Sequence, residues 1–63
     1  MSYAYVKILS TDVGKGFFTA FGRTWMTQDF IGRVLPQDVG KRVYLVGGVL
    51  QVESDAQRAR RMS

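Results

Sequence analysis

The sequence predicts an all-β fold: a small barrel of five or six short strands, with a short helix at the C-terminal end. Three observations lead there. Runs of β-branched and aromatic residues recur at about ten-residue spacing. Turn sequences rich in Gly and Asp separate them. The segment Asp12-Val13-Gly14-Lys15 also returns, 26 residues later, as Asp38-Val39-Gly40-Lys41.

Tyr3–Leu9 reads as the first strand, with Ala4, Val6 and Ile8 on one face and Tyr5, Lys7 and Leu9 on the other. Residues 10–16 form a turn, because Asp bonds its own backbone and Gly accepts positive φ. Phe17–Phe21 is the second strand, and Gly22 ends it. Arg23–Thr27 is the third. Phe30–Leu35 is expected as a fourth. The competing expectation is a helix over residues 28–34 capped by Thr27, which Gly32 and the restriction that Pro36 places on Leu35 both disfavour. After a turn over Pro36–Lys41, Arg42–Val46 and Val49–Glu53 flank Gly47-Gly48, a strong hairpin signal. Ser54-Asp55-Ala56-Gln57 then fits a capping box. The acid at its start and Arg58, Arg60 and Arg61 at its end suit the helix dipole, so a helix is expected from Asp55 to about Arg61.

The repeat extends beyond four residues. At the same offset Lys7-Ile8-Leu9 aligns with Arg33-Val34-Leu35, Phe17-Phe18 with Val43-Tyr44, and Gly22 with Gly48. Each half reads strand, turn, strand, turn, strand, so a pseudo-two-fold arrangement of two three-stranded units is one way to build the domain. Strand count and turn spacing point to an SH3-like or an OB-like barrel, and no stretch matches a motif of either group. The expected organisation is residues 1–53 as the small barrel and residues 54–63 as a short basic C-terminal helix or tail.

Composition narrows the function. A chain of 63 residues makes one domain. At this size folding buries only about 60% of the chain's surface, so stability is marginal and a homo-oligomer is expected to supplement it. Cys and His are both absent. No disulfide, thiolate zinc site or imidazole base can form, and no metal or cofactor is expected. No stretch approaches the roughly 20 apolar residues that span a bilayer, and the first residues lack a signal-peptide pattern, so membrane binding is not expected and a cytoplasmic location is the default.

No catalytic constellation emerges, and the expectation is a protein that is not an enzyme. Gly14-Lys15-Gly16 lacks the earlier Gly and the following Ser or Thr of a phosphate loop, because Phe17 comes next. Asp12, Asp29, Asp38 and Glu53 sit mostly in turns, where carboxylates cap backbone. Ser10, Thr11 and Tyr44 have no histidine to activate them. The informative pattern is basic residues interleaved with aromatics. Net charge is +4, and half of it lies in residues 54–63, which hold three Arg against one Asp. Tyr3, Tyr5 and Lys7 share a strand face, Arg23 and Trp25 share another, and Lys41 and Arg42 open the strand that carries Tyr44. Aromatic faces stack bases while Lys and Arg neutralise phosphates. The predicted contact set for single-stranded DNA or RNA is therefore Tyr3, Tyr5, Lys7, Lys15, Arg23, Trp25, Lys41, Arg42, Tyr44, Arg58, Arg60 and Arg61. The other expectation is a structural or protein-interaction module, an assembly subunit, adaptor or inhibitor of the kind a virus or mobile element encodes. Its protein partner would cover some of the eight aromatic side chains that so small a core cannot enclose.

Overall fold

The fold is known from a computed structural model, which describes residues 3–62. Residues 1, 2 and 63, the extreme ends of the two expected segments, lie outside the described residues. Among the described residues five strands and one α-helix form: β1 (Tyr5–Lys7), β2 (Phe17–Ala20), β3 (Arg23–Met26), β4 (Arg42–Val46), β5 (Val49–Val52) and α1 (Asp55–Met62). They make two antiparallel sheets, one ordered β1-β4-β5 and the other the β2-β3 hairpin. Among the described residues these sheets do not join into one closed, hydrogen-bonded barrel, so the domain is mostly β, but its barrel type is not defined by strand pairing.

The repeat in sequence is a repeat in structure. Leu9 and Leu35 are both extended, at φ −102° and −105°. Each then enters a single 3₁₀ turn, Ser10–Asp12 or Pro36–Asp38, and the Leu N–H donates to the carboxylate Oδ2 of Asp12 or Asp38 at 2.8 Å. Val13 and Val39 return to extended geometry at φ −64° and −61°, and Gly14 and Gly40 follow at φ 77° and 91°. The two turns also hold each other. Gly14 N–H donates to Val34 C=O at 3.1 Å, and Gly40 N–H donates to Ile8 C=O at 2.8 Å. These bonds are reciprocal under the 26-residue offset, which is the signature of a local pseudo-two-fold axis. Ile8 and Val34 lie beside it, each 1% exposed.

The hairpins obey the same offset. Ala20 pairs with Arg23 as Val46 pairs with Val49, and Phe18 with Trp25 as Tyr44 with Gln51. Both two-residue turns use positive φ at both positions: Phe21 at 54° and Gly22 at 72°, Gly47 at 60° and Gly48 at 81°. That is the turn whose twist matches antiparallel strands. The core joins the halves. Phe18 and Ala20 come from one sheet, Val43 and Leu50 from the other, and Ile8 and Val34 from the segments leading into the turns.

The expected fourth strand does not form. The N–H groups of Phe30, Ile31 and Gly32 all converge on Thr27 C=O, at 3.2, 2.9 and 2.9 Å, and Gly32 takes φ 83°. The chain curls around one carbonyl instead of extending, so residues 31–33, the counterparts of β1, add no strand to the β2 edge. The competing helix is reduced to one 3₁₀ turn over Thr27–Asp29, entered from Met26 rather than capped by Thr27. Thr27 is buried, and its hydroxyl donates to Lys15 C=O at 3.5 Å.

Candidate nucleic-acid interface

Strand register decides which of the predicted side chains meet. β1 and β4 pair with Tyr5 opposite Tyr44 and Lys7 opposite Arg42, and β5 adds Gln51 opposite Tyr44. Alternation sends Val6, Val43 and Leu50 to the core and leaves Tyr5, Lys7, Arg42, Tyr44 and Gln51 together on the outer face. The Tyr5 and Tyr44 rings lie 5.7 Å apart and tilted, and the Arg42 guanidinium sits 4.2 Å from the Tyr5 ring centroid. Tyr3 is exposed just before β1.

The helix closes one side of this face. The Ser54 N–H donates to Gln57 Oε1 at 2.8 Å and the Gln57 N–H to Ser54 Oγ at 3.1 Å, the reciprocal box expected from sequence. No residue of α1 is buried, so polar contacts dock it. Arg58 donates to Gln37 C=O at 3.2 Å, and Lys41 bridges Asp38 and Asp55 at 2.9 Å each. Arg61 donates to both carboxylate oxygens of Glu53, at 2.6 and 3.2 Å, and reaches Gly40 C=O at 3.5 Å. An open cleft of about 360 Å³ remains between β4 and the helix, lined by Arg42, Tyr44, Glu53, Gln57, Arg60 and Arg61.

Glu53 organises that cleft. It is 4% exposed. Its Oε1 accepts from the Arg42 backbone N–H at 2.9 Å as well as from Arg61. The Arg61 guanidinium holds the Glu53 carboxyl below its ordinary range, against burial, with the Arg42 N–H adding to the effect. Glu53 in turn raises Arg61. Burial works against the charge of Asp38, yet the Leu35 N–H and the Lys41 ammonium outweigh it and keep that carboxyl low too. Lys41 is raised, first by Asp55 and then by Asp38. Among the described residues, the buried Arg42 Nε makes no hydrogen bond.

The structure thus gathers Tyr5, Lys7, Arg42, Tyr44, Arg60 and Arg61 on one surface, and Tyr3 precedes β1 outside the strand pairing. It assigns the others elsewhere. Arg23 stacks 4.2 Å over the Trp25 ring on the β2–β3 hairpin, where the Trp25 indole N–H donates to Ala20 C=O at 2.9 Å. Lys15 lies 5.5 Å from the Phe17 ring centroid. Lys41 and Arg58 instead help fix α1 to the second turn. The tail is a docked helix, not a loose basic arm. Sequence reasoning missed Glu53 and Gln57 as parts of the surface. Available signals were the equivalence of Glu53 to Thr27, both ending a hairpin, and the eight-residue spacing from Glu53 to Arg61.

No family model matches the chain, and no curated protein or solved structure matches it either. Among the described residues, no helix is long and apolar enough to cross a membrane.

Proposed function

We propose that this chain is a non-enzymatic cytoplasmic module, built as an opened small barrel of two pseudo-equivalent hairpins, that binds single-stranded nucleic acid on the outer face of the β1-β4-β5 sheet. One observation carries the reading. A pair of tyrosine rings 5.7 Å apart is flanked on the same face by Arg42 and Lys7, with Arg60 and Arg61 at its rim. Tyr5 is exposed and Tyr44 half-buried; aromatic rings on a sheet face offer bases a stacking platform, and the cations around them neutralise the backbone. Glu53 is the acid in the cleft, and Arg61 already pairs with it. The test is anisotropy titration of a fluorescent single-stranded oligonucleotide over a salt series. Affinity is expected to fall log-linearly with salt, with a slope matching a few phosphate contacts. Tyr44→Ala is expected to weaken binding by about 1–3 kcal/mol. Absence of binding at low salt removes the proposal.

A second reading, an assembly subunit, rests on a different surface. Phe17 and Met26 pair across the β2–β3 hairpin and are 47% and 51% exposed. Their counterparts, Val43 and Val52, lie in a hairpin whose β4 edge is covered by β1. The β2 edge has no such cover among the described residues, and β2 carries no charged side chain to discourage pairing. A second copy pairing β2 with β2 would complete the repeat. Sedimentation across a concentration series tests this, and a monomer at all concentrations rules it out.

A further inference from the structure

The two hairpins match in register but bury opposite faces. In the β4–β5 hairpin Val43, Leu45, Leu50 and Val52 face the core. The 26-residue offset makes Phe17, Thr19, Thr24 and Met26 their counterparts on β2 and β3. All four counterparts are exposed, while Phe18 and Ala20 point into the core. Side chains alternate across a strand, so the β2–β3 hairpin turns outward the face that its counterpart turns inward.

That outward face keeps the chemistry of an inner one. Phe17 lies opposite Met26 and Thr19 opposite Thr24, so the four side chains form one block. None is charged, in a chain with nine basic and five acidic residues. Charge begins at the rim, where Lys15 lies 5.5 Å from the Phe17 ring centroid. An uncharged centre inside a polar rim is the anatomy of a protein–protein interface.

The repeat indicates the occupant. Within the chain, the face equivalent to this block is covered by another hairpin of the same plan, since β2–β3 packs on β4–β5 through Phe18 and Ala20. A second copy presents two free hairpin faces. Its outer β4 face carries Arg42 and borders the cleft with α1, so it does not complement an uncharged block. Its own Phe17–Met26 block does. Like packed on like about a two-fold axis is also a closed arrangement, the commonest among soluble oligomers.

We propose that the outer face of the β2–β3 hairpin, formed by Phe17, Thr19, Thr24 and Met26, packs on the same face of a second copy about a two-fold axis. The contact is face to face. It goes beyond the β2-edge pairing described above, which joins strands side by side and leaves this block open. It also leaves the tyrosine faces of both copies on the outside of the dimer.

The test is sedimentation velocity of the full chain from about 1 μM to 1 mM, the range suited to a block with fewer residues than the roughly 20 per side of a standard interface. A reversible dimer is expected within it. Thr24→Lys and Met26→Lys each place a charge in the block from β3, away from the β2 edge. Each should weaken the dimer at least about tenfold, with the fold checked by circular dichroism. Gln51→Lys adds the same charge on the opposite face and should leave the dimer unchanged. A dimer that survives in folded Thr24→Lys and Met26→Lys proteins overturns the face contact and leaves β2-edge pairing standing. A dimer weakened equally by Gln51→Lys also overturns it, because the effect is then one of net charge. A monomer at every concentration overturns this inference and the edge pairing together.

Discussion

Phe21 shows how single residues settle competing demands in this small domain. Its φ of 54° is unfavourable for any side chain with a Cβ, by about 1–2 kcal/mol, and the other hairpin places Gly47 at the equivalent position. Yet Phe21 packs against the core, and burying a Phe is worth about 1.5–3 kcal/mol when complete. The two terms are close, which yields an order of effects opposite to helix or strand propensity. Phe21→Gly should stay within about 1 kcal/mol of the parent in denaturant unfolding, because it relieves strain as it loses packing. Phe21→Ala should be the less stable of the two, because it keeps the strain and loses the ring. Gly40 gives a second comparison at this scale. Gly14→Ala and Gly40→Ala should each cost about 1–2 kcal/mol for their left-handed backbone. Gly40→Ala should cost more, since its new Cβ would meet the Arg58 Nη2 at 3.0 Å, whereas nothing lies near the Cβ position at Gly14. Glu53 is the third. Glu53→Ala strands the Arg42 N–H and should lower stability by about 1–3 kcal/mol. The left-handed glycines and the Ser54–Gln57 box were legible in the chain. The buried role of Glu53 was not, because its meaning depends on Arg61, which reaches it only after the helix docks.

At the scale of elements, α1 and the sheet are joined by charge rather than apolar burial. Glu53 and Asp38 are both held below their ordinary carboxyl values, near 4.5 and 3.8. A depressed carboxyl contributes stability that is complete above its unfolded value and disappears as pH falls through its folded one. Stability should therefore start to fall near pH 4.5 and keep falling below 3.8, read from chemical denaturation midpoints across pH. Lys41 is shifted up from 10.5, so its contribution is complete below that value and lost only as pH rises above it. Hydrogen exchange should show α1 opening before the β4–β5 hairpin, and Ser54→Ala, which removes the cap, should widen the gap by about 1 kcal/mol. Four strands and the helix were legible within a residue or two of their ends, and the short β1 was placed with two extra residues on each side. Each had a periodic run, a turn signal or a cap. Phe30–Leu35 had the composition of a strand and failed as one. Composition does not reveal that three successive N–H groups will converge on the Thr27 carbonyl.

The whole molecule is two copies of one plan, turn and then hairpin, that diverged in what each adds. The Asp-Val-Gly-Lys repeat foretold the matching turns and hairpins. It did not foretell that β1 would extend only one hairpin, nor that two sheets would stay separate. The divergence has a functional sense in this account. The half that gained β1 and α1 carries the tyrosine and arginine face, while the other half keeps an uncovered β2 edge. The assignment of nucleic-acid binding to that first face is the central claim, and amide and side-chain NMR titration with a single-stranded oligonucleotide tests it most directly. Shifts are expected to concentrate at Tyr5, Lys7, Arg42, Tyr44, Gln57, Arg60 and Arg61, with Arg23 and Trp25 on the β2–β3 hairpin undisturbed. Shifts centred on Arg23, Trp25 and Phe17, or no shifts at low salt, would contradict it.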